Sequence, residues 1–386
     1  MQDISYFILS DGTVFQGTGF GAPGIHIDKL TDGEVLEKSA GEVVFNTAMS
    51  GYHEILTDPS YTGQIVVMTY PHIGNYGDRN EWSEIGPEGD KKRPGIKAAG
   101  FVVREYYEGP VQPGRETLHS FLEKNGTPGI TGIDTRALTL KIREGGSPNG
   151  LIVTGITDES DIRKAAAYIG GFPDMEGRNL IGDVGSPQPE VFNPQGSPAV
   201  ALLDCGLKAN ILRELLQRNC RVMVYPSTAS PDDLTAEKPD LVMISNGPGD
   251  PRELQPQVKT VKSLIGKVPL AGICLGHQII GLAMGCGAFK MKFGHHGANH
   301  PVRDEYTKKV FVTSQNHGFS VTDDNLPEGT QIWFRNANDK TVEGIDNKTL
   351  KIRCTQFHPE AAPGPKDSSW IFDSFLELTE ITTDKT

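Results

Sequence analysis

From Ala199 onward, short apolar runs alternate with segments of helical period, and this alternation leaves few folds open. "AVALLD" at 199–204 reads as a strand and Asn210–Arg218 as a helix. "RVMVY" is a second strand, a helical turn follows from Pro231, and "DLVMIS" is a third strand. Pro256–Ile265 reads as a helix whose proline sits harmlessly in the first turn, and "VPLAGI" is the fourth strand. Strands joined by helical crossovers run parallel and bury both faces. The expected fold class is therefore α/β, with a C-terminal doubly wound, mostly parallel sheet. In such sheets ligands sit at the carboxyl ends of the strands.

Upstream the pattern differs. Tyr6–Ser10 and Thr13–Gln16 flank Asp11-Gly12, a hairpin signal. Two helices are expected, over Glu116–Lys124 and over Thr135–Arg143 behind Asp134 as N-cap. Glu81–Lys97 is charged, carries Gly and Pro, and reads as an exposed loop. "GSPQPEVFNPQGSP", Gly185–Pro198, reads as a linker. The expected domains are a β-rich α+β domain over 1–190 and an α/β domain over 199–386.

The formal net charge of −12 argues against a nucleic-acid partner, and no apolar run is long enough to span a bilayer. The N-terminus has an acid at Asp3 and no basic region, so no secretory signal is read. The five cysteines all lie in the second half and form no C-x-x-C pair, which suits reduced thiols in a cytoplasmic setting.

One of them, Cys274, stands where the fourth strand turns into an amphipathic helix over Leu275–Met284, which Gly285 closes. Its context, Gly272-Ile273-Cys274-Leu275-Gly276, has the shape of a nucleophile elbow with sulfur in place of oxygen. The glycines relieve crowding at the bend. Such a turn is expected to lift the thiol towards solvent, beside a helix N-terminus that favours an anion. The competing reading is a small apolar core residue.

A nucleophile needs a base, and "CTQFHPEAAPGP" supplies a candidate. Cys354–Phe357 reads as a strand, and Pro359 biases His358 to an extended backbone. His358 and Glu360 then project to one side, so that one carboxylate can hold the imidazole in one tautomer. An ordinary turn after a strand is the plainer alternative.

"SNGPGDP", "GICLGHQ" and "HPE" occur in this order, and together they resemble the class I, triad-type glutamine amidotransferases. "KMKFGHHGANHPV", "QNHGF", "GEVVFNTAMSGYHEILTDPSYTGQIVVMTYPHIGNYG" and "GIDTRALTLKIREGG" resemble, more closely, the small-subunit family of carbamoyl phosphate synthetase. That resemblance covers nearly the whole chain. Residues 27–39 look like an insertion and the loop at 81–97 is divergent, and neither is expected to touch a catalytic motif.

The resemblance implies that Cys274 attacks the glutamine side-chain amide, that His358 moves the proton and that Glu360 orients it. It implies oxyanion donors at the Leu275 N–H and at a glycine N–H of Gly247-Pro248-Gly249. It assigns glutamine contacts to Ser60, Gly247, Gly249, Leu275, Gln278, Asn316, Gly318 and Phe319. Ser60 lies in the first domain, which is otherwise expected to dock a large subunit. That subunit would use ATP and magnesium to make carbamoyl phosphate from bicarbonate and the delivered ammonia. No cofactor is expected on this chain, because "DCGLKAN" carries a single glycine and no dinucleotide or Walker A pattern occurs.

His295, His296 and His300 in "GHHGANH" tempt a zinc reading, but no cysteine or acid completes a usual ligand spacing. His317 reads as a structural hydrogen-bonding residue. The alternatives are a glutaminase of another amidotransferase, a non-catalytic regulatory subunit and a stand-alone cysteine hydrolase. The first domain argues against the first of these, and the intact Cys274, His358 and Glu360 against the second.

Overall fold

The computed structural model describes residues 4–86 and 95–380. The chain divides into two compact units. Residues 1–83 and 91–176 make the first, and residues 84–90 and 177–386 the second.

In the first unit, Ile4–Leu9 and Val14–Gly21 form the hairpin expected around Asp11-Gly12. Gly12 has φ 85°, and the Asp11 carboxylate accepts the Thr13 N–H at 3.0 Å, so the turn residues supply both the backbone conformation and its hydrogen bond. Ile4–Leu9 also pairs with Asn149–Thr154, which closes seven of the eight strands into a ring and leaves the short strand Ile25–His26 at an edge. Thr117 caps the helix Leu118–Lys124, and Asp134 caps Thr135–Gly145. Within 27–39, Ile27 and Leu30 are buried beside Tyr168 and Ile169.

The second unit is built on a ten-stranded sheet. Five strands run parallel: Arg221–Pro226, Ala199–Asp204, Leu241–Ile244, Leu270–Ile273 and Ile352–Thr355. Their apolar side chains feed two cores. On one face Val258, Val261, Ile279, Ile280 and Ala283 pack, from the helices Gln255–Leu264 and Leu275–Met284. On the other lie Ile211, Leu212, Leu215, Phe372 and Phe375, from Ala209–Gln217 and Trp370–Glu380. Each fully buried Leu or Ile contributes roughly 1.5–3 kcal/mol.

The sheet then continues antiparallel through Val342–Asn347, Thr330–Asn336, Ala288–Asp304 and Val310–Val321. The sequence reading did not anticipate this extension. Its strands carry buried polar residues such as Gln315, Asn316 and Glu343, which break the apolar signature of a strand.

Two local expectations are corrected. The stretch read as a linker contains an edge strand, Glu190–Phe192, antiparallel to Arg221–Pro226. The stretch read as an exposed loop is partly buried: Glu84, Ile85 and Ile96 are at most 2% exposed, and Ile85 forms a bridge with Lys208. The part of that loop at 87–94 lies outside the described residues.

Candidate active site

Cys274 follows Leu270–Ile273 and precedes the helix Leu275–Met284, at the carboxyl end of a central parallel strand. Its backbone has φ 54° and ψ −104°, a conformation that costs on the order of 1–3 kcal/mol for a residue other than glycine. The neighbouring glycines make the bend possible. A Cβ at Gly272 would lie 2.7 Å from the Gly276 carbonyl carbon, and one at Gly276 would strike the Ile244 carbonyl oxygen. The Cys274 N–H is held by Thr355 O at 2.8 Å.

The sulfur does not project into solvent as expected. Cys274 is 2% exposed, and its Sγ lies 3.5 Å from Asn316 O. The strand Val310–Val321 covers it, a neighbour that a strand–turn–helix pattern cannot reveal.

His358 and Glu360 follow the strand Ile352–Thr355, which lies beside the elbow strand. The His358 N–H is bonded to Ser314 O at 2.9 Å, and its Nδ1 lies 2.6 Å from Glu360 Oε1. Both side chains are buried, at 1% exposure each. Burial opposes an imidazolium here, but the Glu360 and Cys274 charges outweigh it and raise the His358 pKa above its ordinary value. Burial also opposes the Glu360 carboxylate, and Lys208 together with His358 pulls its pKa well down. Carboxylate and imidazole are thus paired, and the Cys274 charge acts on the ring. Among the described residues the His358 Nε2 makes no hydrogen bond of its own, which leaves that nitrogen available to exchange a proton.

The other expected residues fall as follows. Gln278 donates through Nε2 to Phe319 O at 2.9 Å and to Gln356 Oε1 at 3.1 Å. Asn316 pairs through Oδ1 with His296 Nδ1 at 2.9 Å. A Cβ at Gly318 would lie 2.7 Å from Lys290 Nζ, and the Phe319 ring lies beneath that ammonium at 4.9 Å. Leu275 opens the elbow helix, so its N–H has no acceptor within the helix. A Cβ at Gly247 would meet the Cys205 carbonyl, and Gly249 has φ 94°, so both positions require glycine for packing or backbone reasons. Ser60 is in the first unit, in the turn Pro59–Tyr61, with its N–H on Asp58 Oδ1 at 2.9 Å.

Sequence reasoning missed a supporting group. "DCGLKAN", set aside as a weak nucleotide signal, delivers Lys208 and Asn210. Lys208 Nζ lies 3.0 Å from Glu360 Oε1 and also donates to Ala361 O, with the lysine 2% exposed. Asn210 Nδ2 donates to Glu360 O. The Lys208 N–H is bonded to Asn246 Oδ1 at 2.9 Å, which ties in "SNGPGDP". Glu84 lies 3.0 Å from Arg213, and its Oε2 accepts the Asn210 N–H at 3.1 Å. The divergent loop therefore reaches the turn that contacts Glu360, although none of these bonds goes to "SNGPGDP", "GICLGHQ" or "HPE" itself. A lysine and an asparagine straight after a buried strand were the available signal.

Among the described residues, only His295 of the three histidines of "GHHGANH" joins a group that includes an acid, and that group is formed with residues distant in sequence. His295, His317 and Glu343 have ring nitrogens and a carboxylate oxygen within 4.8 Å of one another, a spacing that could hold a metal ion. The hydrogen bonds describe protons in that space. His317 Nδ1 donates to Phe319 O at 2.8 Å, which leaves its Nε2 to accept from His295 Nδ1 at 3.2 Å. His295 Nε2 faces Asp339 at 2.8 Å. Burial opposes the His295 charge, but Asp339 and Glu343 overcome it and hold the group up at about 9, so His295 is an imidazolium at neutral pH.

The family model for class-I glutamine amidotransferases matches residues 201–378, and that for the CPSase domain of the carbamoyl-phosphate synthase small chain matches residues 7–152. The carbamoyl phosphate synthase small chain of Methanocaldococcus jannaschii is 45% identical over 375 residues, covering 97% of this chain and 98% of that one. The protein of the same name from Methanopyrus kandleri is 44% identical over 375 residues, with 96% and 97% covered. That of Clostridium perfringens is 43% identical over 372 residues, with 96% and 98% covered.

Proposed function

Because the chain belongs to the carbamoyl phosphate synthase small-chain family, we propose that it hydrolyses glutamine with Cys274 as nucleophile, His358 as proton carrier and Glu360 as its orienting carboxylate. Its function is that of the glutaminase subunit of a glutamine-dependent carbamoyl phosphate synthetase. The observation that supports the residue roles most directly is the buried His358–Glu360 pair at 2.6 Å, with the His358 Nε2 unpaired among the described residues and Cys274 at the strained elbow of the adjacent strand.

His358 accepts the thiol proton through Nε2, because its Nδ1 is committed to Glu360. The thiolate adds to the amide carbon of glutamine, and the oxyanion takes the Leu275 N–H and a glycine N–H of 247–249. Breakdown expels the nitrogen, which collects the proton from His358 and leaves as ammonia. Water then adds to the γ-glutamyl thioester, His358 takes its proton, and glutamate departs with the thiol restored. Gln278, Asn316, Gly318, Phe319 and Ser60 are the proposed glutamine contacts.

The finer fold reading is also ours: a doubly wound amidotransferase domain over 199–386, preceded by a β-rich α+β domain over 1–190 that docks the large subunit. ATP and magnesium belong to that partner, which consumes the ammonia. A cytoplasmic location goes with this reading. Among the described residues, no helix is long and apolar enough to cross a membrane.

Cys274→Ser tests the assignment in the complex with the large subunit. Glutamine-dependent synthesis should fall at least a thousandfold, while synthesis from added ammonia should persist, because serine lacks the thiolate. Glutamine hydrolysis surviving in the variant overturns it.

A further inference from the structure

We propose that Glu84 is a positioning residue for the hydrolytic site, acting through Lys208 and Asn210 on Glu360. This rests on the roles given above to Cys274, His358 and Glu360.

The helix Ala209–Gln217 begins at Lys208, whose side chain makes no cap hydrogen bond. Helix starts leave their first N–H groups without intrahelical acceptors, and these need partners when buried. Glu84 supplies them from 125 or so positions away. Its backbone oxygen accepts the Ala209 N–H at 3.0 Å, and its Oε2 accepts the Asn210 N–H at 3.1 Å. The other carboxylate oxygen lies 3.0 Å from Arg213 of the same helix. Gly86 adds an N–H to Leu207 O at 3.0 Å, so the whole turn before the helix is gripped along its backbone.

What this turn presents on its far side is the support for Glu360. Lys208 Nζ meets the carboxylate at 3.0 Å, and Asn210 Nδ2 donates to the Glu360 backbone oxygen. One carboxylate therefore fixes the helix start, and the helix start fixes the other carboxylate. Residues 84–90 go with the second unit although the chain on either side goes with the first.

Electrostatics fit this arrangement. Burial raises the Glu84 carboxyl, Lys208, Arg213 and the Asn210 N–H offset part of this, the Glu360 charge adds to it, and the net result is a group held up at about 8. Glu84 and Glu360 thus share the Lys208 charge, while Arg213 acts on Glu84 and His358 on Glu360. Lys208 and Arg213 from the helix side and Glu360 from the loop after Ile352–Thr355 are the charged groups that face it.

The test is glutamine hydrolysis by the full chain in complex with its large subunit. Glu84→Ala should lower kcat roughly ten- to hundredfold, the scale of a misplaced catalytic group. KM for glutamine should move less than about threefold, because the proposed glutamine contacts lie on other elements. Glu84→Gln keeps both acceptor positions of the cap but one of them only as an amide, and should recover most of the loss. The decisive comparison uses the Glu360→Gln background. If Glu84 acts through Glu360, adding Glu84→Ala there should cost less than about twofold. Losses that multiply in the double variant, or an unchanged kcat in Glu84→Ala, overturn the proposal. Where Glu84→Ala fails to fold, the cycle is run with Glu84→Asp, which keeps the carboxyl group but shortens the reach to the Asn210 N–H and Arg213. A failed Cys274→Ser test would remove the underlying site instead, and the two failures are read from different variants.

Discussion

Lys208 Nζ and Glu360 Oε1 lie 3.0 Å apart, both withdrawn from solvent, and the same carboxylate oxygen faces His358 Nδ1 at 2.6 Å. The orienting anion is thereby held between two cations. Removing one partner of a buried pair costs about 3–5 kcal/mol, because the remaining charge stays desolvated.

Lys208→Met should therefore lower the thermal midpoint and reduce kcat together. Lys208 is a main influence holding the Glu360 pKa down. Without it that pKa rises, and the acid limb of the rate profile should move to higher pH. The pH dependence of kcat checks this, and an acid limb that stays in place counts against the shared-anion arrangement.

His358→Asn should abolish more activity than Glu360→Gln. The first removes the proton carrier, while the second leaves an acceptor on Nδ1 and loses only the charge that favours the imidazolium. Losses of about 10⁶-fold and about 10⁴-fold are expected, from the scale of such groups in hydrolytic triads. Single-turnover release of ammonia measures both, and equal small losses would reduce the His-Pro-Glu stretch to a turn.

Gly276→Ala should be severely destabilising, since the new methyl runs into the Ile244 carbonyl of a neighbouring buried strand. A loss above about 3 kcal/mol, or no soluble protein, is expected. Gly145→Ala is the control. It meets nothing within 4 Å in the last turn of its helix, and should be neutral or stabilising by up to about 1 kcal/mol. Urea denaturation separates the two.

The His295 network makes stability depend on pH with a definite sign. Its folded pKa, about 9, is above the ordinary 6.5, so the protonated form is the one that the fold favours. That contribution is complete below about pH 6.5 and is lost as pH rises through about 9. His358 has the same sign, so the wild type alone does not isolate the effect. His295→Asn should therefore show a smaller drop in urea midpoint between pH 6 and pH 10 than the wild type. Parallel curves would mean that His295 is not charged in the fold.

The parallel strands and the elbow were legible because burial on two faces writes continuous apolar runs, and a bend between strand and helix demands Gly272 and Gly276. His358 and Glu360 were legible from a local spacing. The antiparallel half was not, because Gln315 donates to Glu343 and Asn316 pairs with His296 across strands, and these buried polar residues leave no apolar period. Lys208 and Glu84 were illegible for a related reason. A buried charge looks like a surface charge until its partner, here 152 and 129 positions away, is known.

The strand Val310–Val321, which carries Asn316, Gly318 and Phe319, is the last in its sheet, whereas Cys274 ends a strand paired on both sides. The strand proposed to recognise glutamine nevertheless lies against the proposed nucleophile: Asn316 O is 3.5 Å from Cys274 Sγ, Phe319 O accepts from Gln278, and Ser314 O holds the His358 N–H. A shift in the outer strand disturbs one ladder, while a shift at the elbow disturbs two ladders and both cores. Changes in the amide that such a site accepts are therefore cheaper for the fold at the border of the sheet than at its centre, but each is felt at the sulfur, so that substrate choice and reactivity evolve together.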